Sequence, residues 1–174
     1  LGTGVVRGGG GAANNDLRRR PATETGLRSV WVPPAPRWMA NTASGAALID
    51  HGVKQTFECD APVAVFADPR IVAEAPAAMT ASGYGDLLGK VTAGADWIVA
   101  DALGIEPIQS DAWEMVQGPL PGLLAHPERY AVGRPAAIRD LFLGLVMTGL
   151  AIQASGSSRC ASGSRLRITT AQPS

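Results

Sequence analysis

The chain has 174 residues, 15 basic and 15 acidic side chains, 46% apolar residues and 5% aromatic residues. It is long and apolar enough to bury a core and too apolar for a disordered polymer, and its zero net charge gives no support to a nucleic-acid or membrane-surface role. The neutral total hides a split. Residues 1–37 carry six Arg against Asp16 and Glu24, residues 38–158 carry six bases against 13 acids, and residues 159–174 carry three Arg and no acid.

In chain order, residues 1–28 are a Gly-rich start followed by a basic segment, Leu17 to Arg20. Residues 29–32 (SVWV) predict a short strand, stopped by Pro33, Pro34 and Pro36. Residues 43–49 are small and apolar. His51-Gly52 reads as a turn, and residues 54–59 as a short exposed strand. Residues 62–68 (PVAVFAD) are the best strand pattern in the chain, an apolar run ended by Asp68-Pro69. Short buried strands followed by helix-starting loops predict a parallel α/β sheet.

After Pro76 the texture turns helical. Residues 84–103 predict a strong helix whose apolar stripe is Leu87, Leu88, Val91, Ala95, Ile98, Val99 and Ala102. Asp86, Lys90, Ala93 and Trp97 fall on a different face, and Gly104 supplies the stop. Ser110 predicts the cap of a second helix over 111–117. Pro119, Pro121 and Pro127 predict a loop. Pro135 opens a long helix over 135–154 that ends at Gly156. Its apolar run, 141–154, is too short to span a bilayer and reads as a buried helix. The change of texture puts a boundary near residue 75.

Four places carry chemistry in prospect. Four successive glycines, Gly8 to Gly11, followed by Asn14, Asn15 and Asp16, suit either a flexible linker or a phosphate cradle at a helix start. Asp86 with Lys90 one turn later reads as dipole compensation with an i,i+4 pair, or as a metal-ligand carboxylate at a cleft. His51 and His126 stand 75 residues apart, so the histidines supply no metal-ligand spacing. The small-residue loop GSSRCASG at 156–163 is a flexible end or a weak anion holder built from hydroxyls and Arg159. Cys59 and Cys160, about a hundred residues apart, read as unpaired thiols of a reducing compartment, and residues 1–15 lack the apolar stretch of a secretory leader. The setting expected is cytoplasmic.

The order of these blocks resembles the glycerol-1-phosphate dehydrogenases, within the iron-containing alcohol dehydrogenase and dehydroquinate synthase-like superfamily. The blocks are the Gly run with Asn-Asp, VPPAPRWMANTASGAALIDHGVKQT, APVAVFADPRIVAEAP, ASGYGDLLGKVTAGADWIVADALG and TGLAIQASGSSRCASGS, from about residue 8 to 164. The resemblance implies an α/β N-terminal part, a partial nucleotide-binding sheet at 1–75. An all-α part at 76–163 would begin the helical metal and substrate domain, and 164–174 is a tail that does not match. It implies NAD or NADP on Gly9, Gly10, Gly11, Asn15 and Asp16, with Ala35, Pro36, Thr42 and Ser44 passing under the nicotinamide. It implies Asp86 as a ligand of a divalent metal, Zn or Ni, that also touches substrate. The activity implied is hydride transfer between dihydroxyacetone phosphate and sn-glycerol 1-phosphate, a step of phospholipid metabolism.

The chain also departs from the family's pattern. Pro34 and Arg37 stand where the family has Thr and Ser, Met39 stands where it has a substrate-contacting Asp, and Asn41 is displaced by two places. The Glu-His and further His that complete the family's metal site have no counterpart after residue 164. These departures point to an incomplete copy, with a shifted reading frame as the source of its end and with turnover by this chain in doubt. Two alternatives stay open: a glycerol or other polyol dehydrogenase of the same superfamily, and a non-catalytic remnant or binding module. The partners expected are a small phosphorylated polyol and, through uncovered apolar faces, a second copy in a homo-oligomer; no nucleic acid and no membrane span are expected.

Overall fold

A computed structural model of the chain describes residues 4–9, 12–36 and 44–162. The chain opens with β1 (Val5–Gly9), α1 (Ala12–Glu24) and β2 (Arg28–Val32), and β2 returns parallel to β1 with Val5 opposite Arg28 and Gly9 opposite Val32. This is a complete βαβ crossover. The sequence reading left β1 as part of a Gly-rich start, because VVRGG is half glycine-bordered and too short to show a period. β2 is one residue longer than expected and carries the buried Trp31.

β3 (Ala46–Asp50) and β4 (Val53–Phe57) form an antiparallel hairpin around His51 and Gly52, both at positive φ. The two-residue turn was legible; the pairing of the small apolar stretch with it was not. β5 (Ala64–Val65) is the largest shortfall in the strand predictions, two residues where PVAVFAD predicted seven. It completes a parallel sheet in the order β1-β2-β5. Bonds from Val63 N to Ser29 O and from Phe66 N to Trp31 O carry the pairing slightly further. Val63 and Phe66 are exposed, so the apolar run is not a strand buried on both faces.

Helices follow from Asp68, which caps α2 (Pro69–Ala73) by accepting from Arg70 N. α3 (Ala77–Ala102) begins seven residues before the predicted start, because the Ala-rich stretch after Pro76 continues the helix. Gly104, at φ 65, follows its end as predicted. α4 (Ser110–Gln117) is capped at Gln109 rather than Ser110, whose hydroxyl bonds Asp111 instead. The proline loop contains two short helices, α5 (Leu120–Leu124) and α6 (Glu128–Ala131). A proline occupies the first turn of α5, where its missing N–H is harmless. α7 (Pro135–Ser155) ends on Gly156 in the left-handed region, as the sequence predicts.

The core lies between α3, α4 and α7. One cluster joins Trp97, Ala112, Val116, Ala151 and Cys160; another joins Leu87, Leu120, Tyr130, Leu141 and Leu145. α7 is long and apolar enough to cross a membrane by length and composition, and here it buries Ile138, Leu141, Leu145 and Ala151 within this core.

The orientation of α3 reverses the sequence expectation. Thr80, Gly83, Leu87, Lys90, Ala93, Gly94, Trp97 and Ala100 face inward. Of the predicted apolar stripe only Leu87 is buried; Val91, Ile98 and Val99 are 50%, 51% and 57% exposed. The inward face is mostly small, so α4, α7 and the chain before α3 approach closely. That closeness outweighs the larger apolar area on the other face. Replacing Ile98 by Glu should therefore change stability by no more than about 0.5 kcal/mol, as for other surface substitutions. Chemical denaturation of I98E beside the unsubstituted chain checks this, and a loss of several kcal/mol would mean that the stripe is packed after all.

Candidate functional site

The first component is the crossover at the glycine run. Gly9 is the last residue of β1, and α1 starts at Ala12. The run thus sits at the carboxyl end of a parallel strand and the amino end of a 13-residue helix. Free N–H groups and the positive end of the helix dipole converge at such a junction, which suits a diphosphate. Gly10 and Gly11 lie outside the described residues. Asn15 and Asp16 are the fourth and fifth residues of α1, and both are buried. Beside them Arg19 is buried too, and its Nη1 donates to Gly45 O at 2.7 Å. Burial pushes the Arg19 guanidinium down from its ordinary value, and the charge of Asp16 opposes this. These polar groups brace α1 on the hairpin.

The second component is the segment after β2. Pro36 is buried, and Ala35 is partly covered. A Cβ on Gly83 of α3 would collide with the Pro36 carbonyl, so the segment is seated directly on that helix. Thr42 lies outside the described residues, as do Arg37, Met39 and Asn41. Ser44 is exposed and lines an open cleft of about 540 Å³ with Thr23, Glu58, Cys59, Asp60, Ala61 and Gln153. The cleft therefore runs between α1, the segment after β4, and α7. Cys59 and Cys160 are both free and buried, and burial pushes both thiols up.

The third component is Asp86. Its side chain is 23% exposed, and its Oδ1 lies 3.1 Å from Nζ of Lys90, whose side chain is only 1% exposed. The same ammonium donates to Ala161 O at 3.0 Å. The backbone of Lys90 is held as well, its carbonyl accepting from Gln117 Nε2 at 2.9 Å. Burial lowers the Lys90 pKa while Asp86 opposes the shift. The i,i+4 pair that one reading of the spacing predicted is formed, but it is turned inward rather than lying on the helix surface.

A divalent metal does not fit this arrangement. Among the described residues no three His, Cys, Asp or Glu side chains gather to hold a metal ion. The segments outside them, residues 1–3, 10–11, 37–43 and 163–174, contain none of these residue types. His51 and His126 are exposed, with His126 against Glu128 at 3.2 Å. Since sites of this kind use about three protein ligands, no step through a metal is derived for this chain.

The fourth component is the loop after α7. Arg159, a weak anion holder in one of the two readings of this loop, directs its Nε to Glu106 Oε2 at 2.6 Å. Ser157 Oγ accepts from Arg159 N at 3.2 Å, and Ser155 Oγ accepts from Ser157 N at 3.3 Å. The polar groups of the loop mainly hold its own shape and its place on α3. Gly163 and Ser164 lie outside the described residues, with the rest of the tail. Sequence reading missed Glu106 and Gln117. Neither sits in a motif, and only the packing of 103–109 and α4 against α3 brings them to the loop and to Lys90.

Residues 2–76 match the family described as iron-containing alcohol dehydrogenase. The chain is 37% identical over 167 residues to glycerol-1-phosphate dehydrogenase [NAD(P)+] of Bacillus velezensis, covering 96% of this chain and 42% of that protein. The Methanosarcina barkeri protein of the same name is 30% identical over 162 residues, covering 93% of this chain and 46% of its own. The chain thus spans less than half the length of these curated relatives. Among solved structures, a probable glycerol dehydrogenase from Sinorhizobium meliloti superposes with a TM-score of 0.69 at 21% identity, covering 88% of this chain and 46% of that one. An iron-containing alcohol dehydrogenase from Thermotoga maritima gives 0.63 at 18% identity, with the same 88% of this chain covered. These likenesses show the fold: a small parallel sheet followed by helices, of the dehydroquinate synthase-like kind.

Proposed function

Homology of this chain to the glycerol-1-phosphate dehydrogenases, within the iron-containing alcohol dehydrogenases, is the premise from which we propose that it binds NAD or NADP at the β1–α1 crossover. The observation that carries this is the parallel βαβ unit with the glycine run at its turn. Gly9, Gly10 and Gly11 would take the diphosphate, with Asn15 and Asp16 fixing the helix behind them. Ala35, Pro36, Thr42 and Ser44 would form the floor under the nicotinamide, held from below by α3 at Gly83. The dinucleotide, when bound, supplies the hydride donor or acceptor. The domain division proposed is 1–75 for nucleotide and 76–163 for substrate.

The substrate proposed for the intact family architecture is dihydroxyacetone phosphate, reduced to sn-glycerol 1-phosphate, with Asp86 facing the carbon-bound oxygen. A cytoplasmic setting suits a phosphorylated substrate and two free thiols. A second reading is a nucleotide-binding module without turnover. It is favoured by the ammonium already at Asp86 and by the pairing of Arg159 with Glu106.

The experiment is a fluorescence titration with NADH and NADPH, followed by an assay with dihydroxyacetone phosphate. Saturable binding is expected, and Gly11→Val should abolish it without changing the circular dichroism. Turnover is expected to be absent without the remaining length that the relatives possess. Failure of the unsubstituted, folded chain to bind either dinucleotide would overturn the proposal.

A further inference from the structure

We propose that Lys90 is the resident counter-cation of Asp86, occupying in this chain the role that a divalent ion would otherwise fill, and that it ties this carboxylate to the loop after α7. The proposal goes beyond the nucleotide-binding reading and does not depend on it.

Three observations converge. Lys90 Nζ is almost wholly removed from solvent, yet it stands 3.1 Å from Asp86 Oδ1, so the pair is a defined contact and not a transient surface bridge. A charged ammonium in such a place needs oxygen partners, and the second is the main-chain carbonyl of Ala161, at 3.0 Å. That carbonyl belongs to the loop bearing Ser157, Arg159 and Cys160, 71 positions away in sequence, so one side chain joins α3 to the end of α7. Lys90 is also fixed at its own backbone by Gln117, and Gly94, one turn on, has the same Gln117 amide against it, where a Cβ would collide. The backbone of the lysine is thus held from the side of α4. A divalent ion on Asp86 would have to share the carboxylate with this positive charge, and among the described residues no further ligand set offsets the repulsion.

The test uses the full chain. Followed by calorimetry, Ni²⁺ should bind Lys90→Met at least about tenfold more tightly than the unsubstituted chain, the lower end of what outer-shell partners are worth to a metal site. The gain should vanish in the D86N/K90M double variant, and Lys90→Arg, which keeps the charge, should behave like the unsubstituted chain. Equal affinity in the unsubstituted chain and K90M would overturn the proposal. So would stoichiometric Ni²⁺ binding by the unsubstituted chain that D86N removes.

A second measurement needs no Lys90 variant. The chain has two lysines, Lys54 and Lys90, so an ¹⁵N spectrum of the lysine ammonium groups has two candidate signals. Lys54→Arg identifies the Lys90 signal. It should be protected from solvent exchange, move on Asp86→Asn, and stay in place when Ni²⁺ is added to the unsubstituted chain. Fast solvent exchange of that signal, or its displacement by Ni²⁺, counts against the counter-cation.

Discussion

Gly83→Ala should lower the stability of the chain by about 3 kcal/mol, while Gly89→Ala, on the same helix, should raise it by about 0.5–1 kcal/mol. Both changes remove the same backbone entropy from the unfolded state and add the same methyl group. They differ in what the methyl group meets. At Gly83 it would fall on the carbonyl oxygen and carbon of Pro36, which belong to the main chain and have no rotamer to change. At Gly89 nothing lies within 4 Å. Gly144 is intermediate, because its added methyl would meet Leu123 Cδ1 at 2.7 Å, the movable end of a side chain. Midpoints from chemical denaturation rank the three. The segment through Pro36 is proposed as part of the nicotinamide floor, so G83A should also weaken NADH binding in whatever fraction stays folded. Equal effects at Gly83 and Gly89 would show that α3 and the segment after β2 are not in contact.

Asp86→Asn should destabilise more than Lys90→Met, by about 3 kcal/mol against about 1 kcal/mol, because only the first strands a buried charge. Asparagine keeps the shape of the side chain but removes the charge opposite an ammonium whose side chain is 1% exposed. Methionine removes the buried charge itself and refills most of the space, leaving a carboxylate that is partly open to water. A surface i,i+4 pair would give a few tenths of a kcal/mol for either change. Denaturation of both variants and of the double variant measures the coupling directly. A coupling near zero would place the two side chains apart in solution.

Much of the secondary structure was legible because it rests on local chemistry. Gly156 and Gly104 stop helices, Pro135 starts one, and His51-Gly52 makes a two-residue hairpin turn, each through backbone dihedrals that neighbours do not decide. β1 was not legible, because a five-residue strand running into glycines carries almost no pattern of its own. Its reality comes from its parallel pairing with β2. The short helices among the prolines were missed for a similar reason: proline forbids a helix interior but not a first turn.

For the candidate site, the sequence by itself determined the residue types and their order: the glycine run, Asp86 four before Lys90, and the serine-rich loop around Cys160. It also determined, through family likeness, what those blocks resemble. Which way α3 faces was decided only in the tertiary structure. A hydrophobic wheel places Leu88, Val91, Ile98 and Val99 inward, since it weighs apolar area alone. In the fold the small residues Gly83, Ala93 and Gly94 bring Pro36, Gln117 and the loop after α7 against the helix, and Lys90 finds two oxygens there. Burial of a lysine depends on partners that are distant in sequence, Ala161 above all. Neither residue type nor period announces such a partner, so the inward turn of Asp86 and Lys90 belongs to the packing of the whole chain.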